Sequence, residues 1–361
     1  MRFIGLDCHS NNFRYFILGE KGDKGPQGTI TFQTNGFERW LSQLTKEDYV
    51  AIEVSTNTFA VYDILKPLVK ECHILDPRKL REIHQAAVKT DKFDAYKIAS
   101  RLRYAILTDS KKEEFPTVFV PDQTIRKLRR LFSSLRMLKE DAAAFKNKIH
   151  SITKYENICI PKQLVNRVKF RELIKGFGLS EIALNQINCF LNVLDTIKNE
   201  IKSLEEQIIL TSEPIKEEVK IITSVQGISL LGAIGMMSDI ADIKRFETSR
   251  KLCNYLRTAP KIDSSNDKTI IKSVNKQSRK LSLHFLIQGF PHIKKNSQHY
   301  LSFYERKING KSAGKVRIAI CRKLITAIYY MLTRKEYYNC RNEDNHNRKL
   351  KQYENILKKI A

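Results

Sequence analysis

The chain has 361 residues, with 64 Lys and Arg against 39 Asp and Glu and a formal net charge of +25. At about 100–200 residues per domain, this length holds two or three domains with real cores. A composition of 42% hydrophobic and 29% charged residues excludes wholesale disorder. No run approaches the roughly 18 uncharged apolar residues of a membrane span, and no apolar signal core opens the sequence. The expectation is a cytoplasmic protein with no membrane partner. Cys8, Cys72, Cys159, Cys189, Cys253, Cys321 and Cys340 are scattered and never in C-x-x-C spacing, which reads as free thiols rather than a disulfide framework or a zinc site.

The charge is unevenly placed. Residues 1–100 carry a net +1, whereas residues 220–361 carry +19. An excess of this size points to a polyanionic partner, and its position assigns that contact mainly to the last part of the chain.

In chain order, residues 3–6, 13–18 and 29–32 read as strands, 36–44 as a short helix and 49–52 as a further strand. Residues 59–69 have helical spacing, 72–75 read as a brief strand, and 94–107 as an amphipathic helix. Three leading strands followed by strand–helix alternation predict an α/β domain with a mixed sheet. Beyond Asp122, Leu128, Leu131, Leu135, Leu138, Ala142, Phe145, Ile149 and Ile152 recur at alternating three- and four-residue steps. Ile187, Phe190, Leu194, Ile197, Ile201, Leu204 and Ile208 form a second such seam, after a reversal marked by Pro161, Gly176 and Gly178. Two heptad helices predict an antiparallel coiled-coil arm or two core helices of a bundle. Helices are then expected over 246–256, 281–288, 298–308 and 315–333, with 258–276 polar and turn-rich. A polar tail from 339 to 361 is expected to fray.

Four acids stand out by position. Asp7 and Glu53 each follow an apolar strand, where strand ends open onto a site. Asp91 and Asp94 lie three apart at the start of a helix, on one face. Four carboxylates brought together repel one another unless cations bind among them, and magnesium suits such oxygen ligands in phosphodiester chemistry. Each acid alone also has a structural reading, Asp7 at a turn and Asp91 as a helix cap.

Lys89-Thr90-Asp91-Lys92-Phe93-Asp94-Ala95, after Asp76-Pro77, resembles the signature of the IS-one-ten family of insertion-sequence transposases, which also includes pilin-gene DNA invertases. The likeness continues in Ile4-Gly5-Leu6-Asp7, Ile52-Glu53, Val120-Pro121-Asp122 and Lys146-Asn147-Lys148-Ile149-His150, and resumes over 224–256, 304–310 and 322–329. The resemblance implies a bacterial protein with an α/β RNase H-like (RuvC-like) domain over 1–110. Its four magnesium-binding carboxylates map onto Asp7, Glu53, Asp91 and Asp94. It also implies a coiled-coil section over 111–215, a mainly α-helical basic transposase domain over 216–338 and a tail over 339–361.

The family's nucleophilic serine follows a proline in a polar stretch, and Pro260-Lys261-Ile262-Asp263-Ser264-Ser265 takes that place. Alignment from Pro260 puts the nucleophile at Ser265, with Ser264 as its rival; read without the family, Ser264 to Asp267 is a turn. A serine attack on a phosphodiester conserves the bond energy in a covalent serine–DNA link. The resemblance further implies donor and target DNA, a structured guide RNA, and a homodimer or tetramer. Gly227, in a turn between two apolar helical stretches, resembles a helix–hairpin–helix element that offers amides to a phosphate. Lys268, Lys272, Lys276, Arg279, Lys280, Lys315, Arg322 and Lys323, interleaved with Tyr300, Phe303 and Tyr304, suit backbone contacts plus base stacking.

The sequence departs from the family at Asn266, where Gly is usual, at Lys276-Gln277-Ser278-Arg279, around Glu53-Val54-Ser55-Thr56 and at Gly227-Ile228-Ser229. Two other readings therefore stay open: a site-specific invertase of the same family, and a non-catalytic nucleic-acid-binding remnant.

Overall fold

The computed structural model describes residues 1–76, 91–108, 115–166, 169–265, 268–274 and 280–358; for 91–93, 261–265 and 268–274 it is the backbone that is described. Contacts divide the chain into two compact units, Met1–Val120 and Pro121–Ala361.

The first unit is built on five strands: β1 (Arg2–Cys8), β2 (Asn12–Gly19), β3 (Lys24–Thr31), β4 (Asp48–Glu53) and β5 (Glu71–Leu75). Their order is β3-β2-β1-β4-β5. The pairs β1–β2 and β2–β3 are antiparallel, whereas β1–β4 and β4–β5 are parallel. The expected mixed sheet is present. In β1 every residue after Arg2 is buried, the pattern of a central strand covered on both faces. On one face Ile4, Leu6, Val50 and Ile52 pack under α1 (Asn35–Ser42) and α2 (Thr58–Leu65), through Phe37, Trp40, Val61 and Leu65. On the other, Phe3, Tyr49, Ala51 and Leu75 pack under α3 (Asp91–Leu107), through Ala95, Ile98, Ala99 and Leu102. Each fully buried Leu, Ile or Phe contributes about 1.5–3 kcal/mol relative to exposure. At the start of the sheet, buried Asp48 takes two bonds from Arg2, at 2.7 and 2.6 Å, and one from the Thr45 amide at 2.7 Å. That fork ties β1 to β4.

The second unit opens with two long helices, α4 (Gln123–Tyr155) and α5 (Glu181–Thr211). The side chains of Asp122 and Ser180 cap their first turns, satisfying amides that have no partner within the helix. The rings of Phe145 and Phe190 meet at a tilt with centroids 5.6 Å apart, while Lys139 pairs with Glu205 at 2.8 Å. Positions thus fall along one helix as they rise along the other: the pair is antiparallel. The heptad seam is sorted by burial, with Leu128, Leu135, Ala142 and Ile149 buried and Leu131, Leu138, Phe145 and Ile152 half-buried. The reversal uses Gly178 in the left-handed region at φ +69°, which costs a glycine little.

After α5 come the α-helices α6 (Lys216–Thr223), α7 (Leu230–Ile240), α8 (Ser249–Tyr255), α9 (Leu281–Lys295), α10 (Gln298–Ile308), α11 (Ala313–Arg334) and α12 (Glu343–Leu357). They share one apolar core with the first turns of α4 and the end of α5. Two expectations are corrected here. Residues 258–276 are not merely turns: β6 (Pro260–Ser265) and β7 (Lys268–Val274) pair antiparallel, with Ile262 opposite Ile271 and Asp263 opposite Ile270. The β-branched residues of β7 favour extended backbone despite the polar composition. The fraying tail is instead a helix over Glu343–Leu357, because Tyr353 is buried in the core and its hydroxyl bonds Ser212 Oγ at 2.8 Å. Among the described residues, no helix is long and apolar enough to cross a membrane. All seven cysteines are free.

Candidate functional site

The acids selected from sequence in the first unit gather at one end of the sheet. The parallel ladder pairs Leu6 with Ile52, so the next residues stand side by side where the two central strands finish, Glu53 as the last of β4 and Asp7 one residue before the end of β1. Side chains alternate along a strand, which puts Asp7 on the face of Phe3 and Gly5, and Glu53 on that of Tyr49 and Ala51. That is the face α3 covers. Gly5 lacks a side chain where a Cβ would strike the Ala95 carbonyl oxygen and the Ala99 nitrogen. The helix therefore lies directly on β1.

The direction of α3 follows from two contacts. Ala95 sits over Gly5, while Arg103 donates to the Glu20 carbonyl at 2.9 Å, beyond the Gly19 end of β2, which pairs with Arg2. The helix runs from the Asp7 end of β1 toward the Arg2 end. Its first turn, with the backbone positions of Asp91 and Asp94, is thus at the Asp7 end. The Asp94 side chain is half-buried, with Lys97 Nζ 4.0 Å from Oδ1; the Asp91 side chain lies outside those described. Among the described residues, no three His, Cys, Asp or Glu side chains form a ready metal-binding group.

The neighbours of the acids fix them in place. The Thr58 hydroxyl donates to the Glu53 carbonyl at 3.2 Å and accepts from the Ser55 amide at 2.5 Å, closing the turn after β4. Asn57 Nδ2 donates to the His9 carbonyl at 3.1 Å, tying that turn to the end of β1. Asp7 is buried, with His9 Nε2 3.7 Å from its Oδ2. Burial, and then the charges of Asp7 and Glu53, push the Cys8 thiol up to about 12. Cys8 alternates with Asp7 along β1 and so lies on the opposite face, as a buried neutral thiol. Burial likewise pushes Cys72 up to about 12.

In the second unit, Ser264 pairs with Thr269 and Ser265 with Lys268 in the β6–β7 ladder. Ser265 is therefore the last residue of β6, separated from Lys268 by Asn266 and Asp267. The side chains of Ser264, Ser265, Lys268 and Lys272 lie outside those described, as do residues Lys276 and Arg279 altogether.

Gly227 lies in the turn between α6 and α7 at φ +85°. A Cβ there would come within 3.0 Å of the Gly289 carbonyl oxygen and the Ile293 nitrogen of α9, and one on Gly289 would strike the Gly227 carbonyl oxygen. This glycine thus serves a close approach of turn and helix. The Ser229 hydroxyl caps α7 by accepting from the Gly232 amide at 3.0 Å. Lys349 from α12 donates to the carbonyls of Thr223 and Ile228 at 3.0 and 2.8 Å.

Lys315, Arg322 and Lys323 are exposed on α11, whose Val316, Ile320 and Leu324 are buried, and Lys280 is exposed just before α9. Lys315 and Arg322 are seven apart and share a face. Lys323 Nζ lies 5.0 Å from the Phe303 ring centroid, so a basic and an aromatic side chain do interleave there. Two residues with distinct roles in these surroundings carried no sequence signal. Arg14 stands opposite Asp7 in the β1–β2 ladder, legible only once the hairpin register is known. Asp239 of α7 is buried and accepts from the Ser282 amide at 2.9 Å and hydroxyl at 3.0 Å, fixing the start of α9. It sits inside an apolar helix without a motif.

Two family models match the chain in succession. The model for the DEDD domain of IS110 type, described as a transposase, covers residues 4–155. That described as "Transposase IS116/IS110/IS902 family" covers residues 219–302. A transposase for insertion sequence element IS1111A from Coxiella burnetii is 23% identical over 170 residues, 46% of this chain and 46% of that relative. A transposase for insertion sequence element IS1533 from Leptospira borgpetersenii is 24% identical over 268 residues, 69% of this chain and 72% of that relative. The chain thus spans about half the length of the first relative and more of the second. The two models together cover well over half of the sequence, one on the carboxylate strands and one on the serine hairpin, and the chain belongs to the IS116/IS110/IS902 family of transposases.

Proposed function

We propose that this protein is the DNA transposase of an insertion sequence, cutting and rejoining DNA through a serine–DNA covalent intermediate, with magnesium held by Asp7, Glu53, Asp91 and Asp94. The observation that carries the reading is the side-by-side placement of Asp7 and Glu53 where β1 and β4 finish, on the face covered by a helix whose first turn holds Asp91 and Asp94. An all-carboxylate donor set fits a hard divalent cation, and such a group in a partly buried site is stable only with its charge offset. The strand order and the antiparallel–parallel sequence of pairings support the RNase H-like reading of this unit.

Ser265 Oγ attacks phosphorus, and the phosphodiester bond to one deoxyribose oxygen breaks as the serine–phosphate bond forms. The serine gives up its proton, and the departing oxygen takes one. The energy of the broken ester is kept in the new one, so a second DNA hydroxyl displaces Ser265 and reseals the strand without ATP. Magnesium, when bound, supplies positive charge toward the phosphate oxygens. The exposed Lys315, Arg322, Lys323 and Lys280, with Lys268, Lys272, Lys276 and Arg279 and the turn at Gly227, grip the phosphates of DNA and of a structured guide RNA. Exposed Met137, Ile182 and Val193 on the α4–α5 pair support its use as a coiled-coil assembly arm in a dimer or tetramer.

The test is strand cleavage by the full chain on DNA carrying the element ends, with the adjoining transcript and magnesium. Asp91→Ala is expected to abolish cleavage while leaving DNA binding in place. Cleavage by Asp91→Ala at the wild-type rate would refute the metal site.

A further inference from the structure

The Asp7 end of the sheet has a second, cationic side. The register places Arg14 of β2 opposite Asp7, and Thr29 of β3 opposite Arg14. Directly paired residues share a face, so Thr29, Arg14, Asp7 and Glu53 form one row across four strands. Asp7 has a carboxylate neighbour in Glu53 and a guanidinium neighbour in Arg14. An open cavity of about 310 Å³ lies at this end, lined by His9, Asn12, Arg14 and Thr29. Its lining has no carboxylate. It offers the planar fork of Arg14, the amide of Asn12, the hydroxyl of Thr29 and the imidazole of His9, a donor set that matches the tetrahedral oxygens of a phosphate.

We propose that this cavity is a subsite for a backbone phosphate of a nucleic-acid strand, one next to the phosphate that the carboxylates address, with Arg14 as its principal contact. This rests on the carboxylate reading above for what lies beside it. The cavity has room for a phosphodiester with part of its sugar, and its lining has no Phe, Tyr or Trp, the one ring being the His9 imidazole. The subsite therefore reads backbone rather than sequence. Its effect is to hold the strand in register across the row, so that the neighbouring phosphate meets Asp7 and Glu53.

The local test uses a photoreactive benzoylphenylalanine installed at exposed Gln27, two residues from Thr29 on the same face of β3. The full chain is irradiated with a short labelled oligothymidylate in EDTA, so that no metal takes part. Crosslinking at limiting oligonucleotide is expected to fall about tenfold with Arg14→Gln, the loss of one charge-assisted contact, and to return in part with Arg14→Lys. Thr29→Val, which keeps the side-chain shape, is expected to reduce it about threefold and serves if Arg14→Gln does not fold. A yield unchanged by both substitutions, or lowered equally by Arg39→Gln on α1, overturns the subsite. Asp7→Asn separates the two readings. Retained crosslinking with lost magnesium-dependent cleavage supports both, whereas retained cleavage in Asp7→Asn sinks the carboxylate reading and leaves the phosphate subsite standing.

Discussion

Ala95 lies against Gly5 with no side chain between them, so helix α3 rests on the backbone of the central strand. This contact sets how close the first turn of α3 comes to the end of β1. Gly5→Ala would force a methyl group into the Ala95 carbonyl oxygen and the Ala99 nitrogen, neither of which is the end of a flexible side chain. Overpacking of this kind costs about 1–3 kcal/mol, and a clash with backbone belongs at the upper end. Urea unfolding is expected to show that loss, with DNA cleavage falling further than stability alone explains.

Gly227 and Gly289 make a second contact without side chains, in the other unit. Gly227→Ala adds the strain of a left-handed φ, about 1 kcal/mol or more, to the crowding against α9. Gly289→Ala crowds the same place from the other side. Because both act on one contact, the double variant is expected to lose less stability than the two single losses together. Chemical denaturation of the four proteins measures this directly.

Asp239 is buried and holds the start of α9 through the Ser282 amide and hydroxyl. Truncation by Asp239→Ala leaves buried donors without that acceptor and is expected to cost about 3 kcal/mol. Asp239→Asn keeps one acceptor oxygen and is expected to cost less than half as much. Thermal melts of both variants distinguish the bond from the bulk.

The terminal helix predicts a pH dependence. Burial, and then the charge of Arg348, lower Lys349 to about 8, and burial also lowers His346, with Lys349 and Arg341 adding to the effect against the Lys220 carbonyl. Both groups bind protons more readily in the unfolded chain. Stability is therefore expected to rise with pH through the acid side of 6.5 for His346, and again from about 8 toward 10.5 for Lys349. His346→Gln flattens the first limb and Lys349→Gln the second, as read from unfolding midpoints across pH. A limb unchanged in its variant refutes that assignment.

Tyr353 anchors the same helix. Tyr353→Ala is expected to cost about 3–5 kcal/mol, as for other large buried side chains, and Tyr353→Phe about 1 kcal/mol through the lost bond to Ser212. Denaturant midpoints of the two variants check both values.

What could be read from the sequence was what rests on local pattern. Asp7 and Glu53 interrupt the apolar runs of β1 and β4 within one residue of the strand ends, so those ends are visible as composition. The heptads of α4 and α5 were visible because one helix face repeats every seven residues, as the burial of Leu128, Leu135, Ala142 and Ile149 shows. The rest depended on pairing across distance. Only the end of β3 carries a strand signal, since Gly25, Pro26 and Gly28 break the apolar pattern while the edge strand still pairs with β2. The serine hairpin hid in a polar stretch for the same reason. Arg14 acquired a role only from its partner across the hairpin, and the polar α12 owes its place to Tyr353 and Lys349, two residues in a segment with little apolar content.

Covalent attack by Ser265 leaves a product that can be weighed. The most direct measurement is mass spectrometry of the protein–DNA adduct formed on element-end DNA with the adjoining transcript and magnesium. A phosphodiester-linked nucleotide on Ser265, lost in Ser265→Ala and retained in Ser264→Ala, is the predicted result. An adduct that persists in Ser265→Ala and disappears in Ser264→Ala would contradict it.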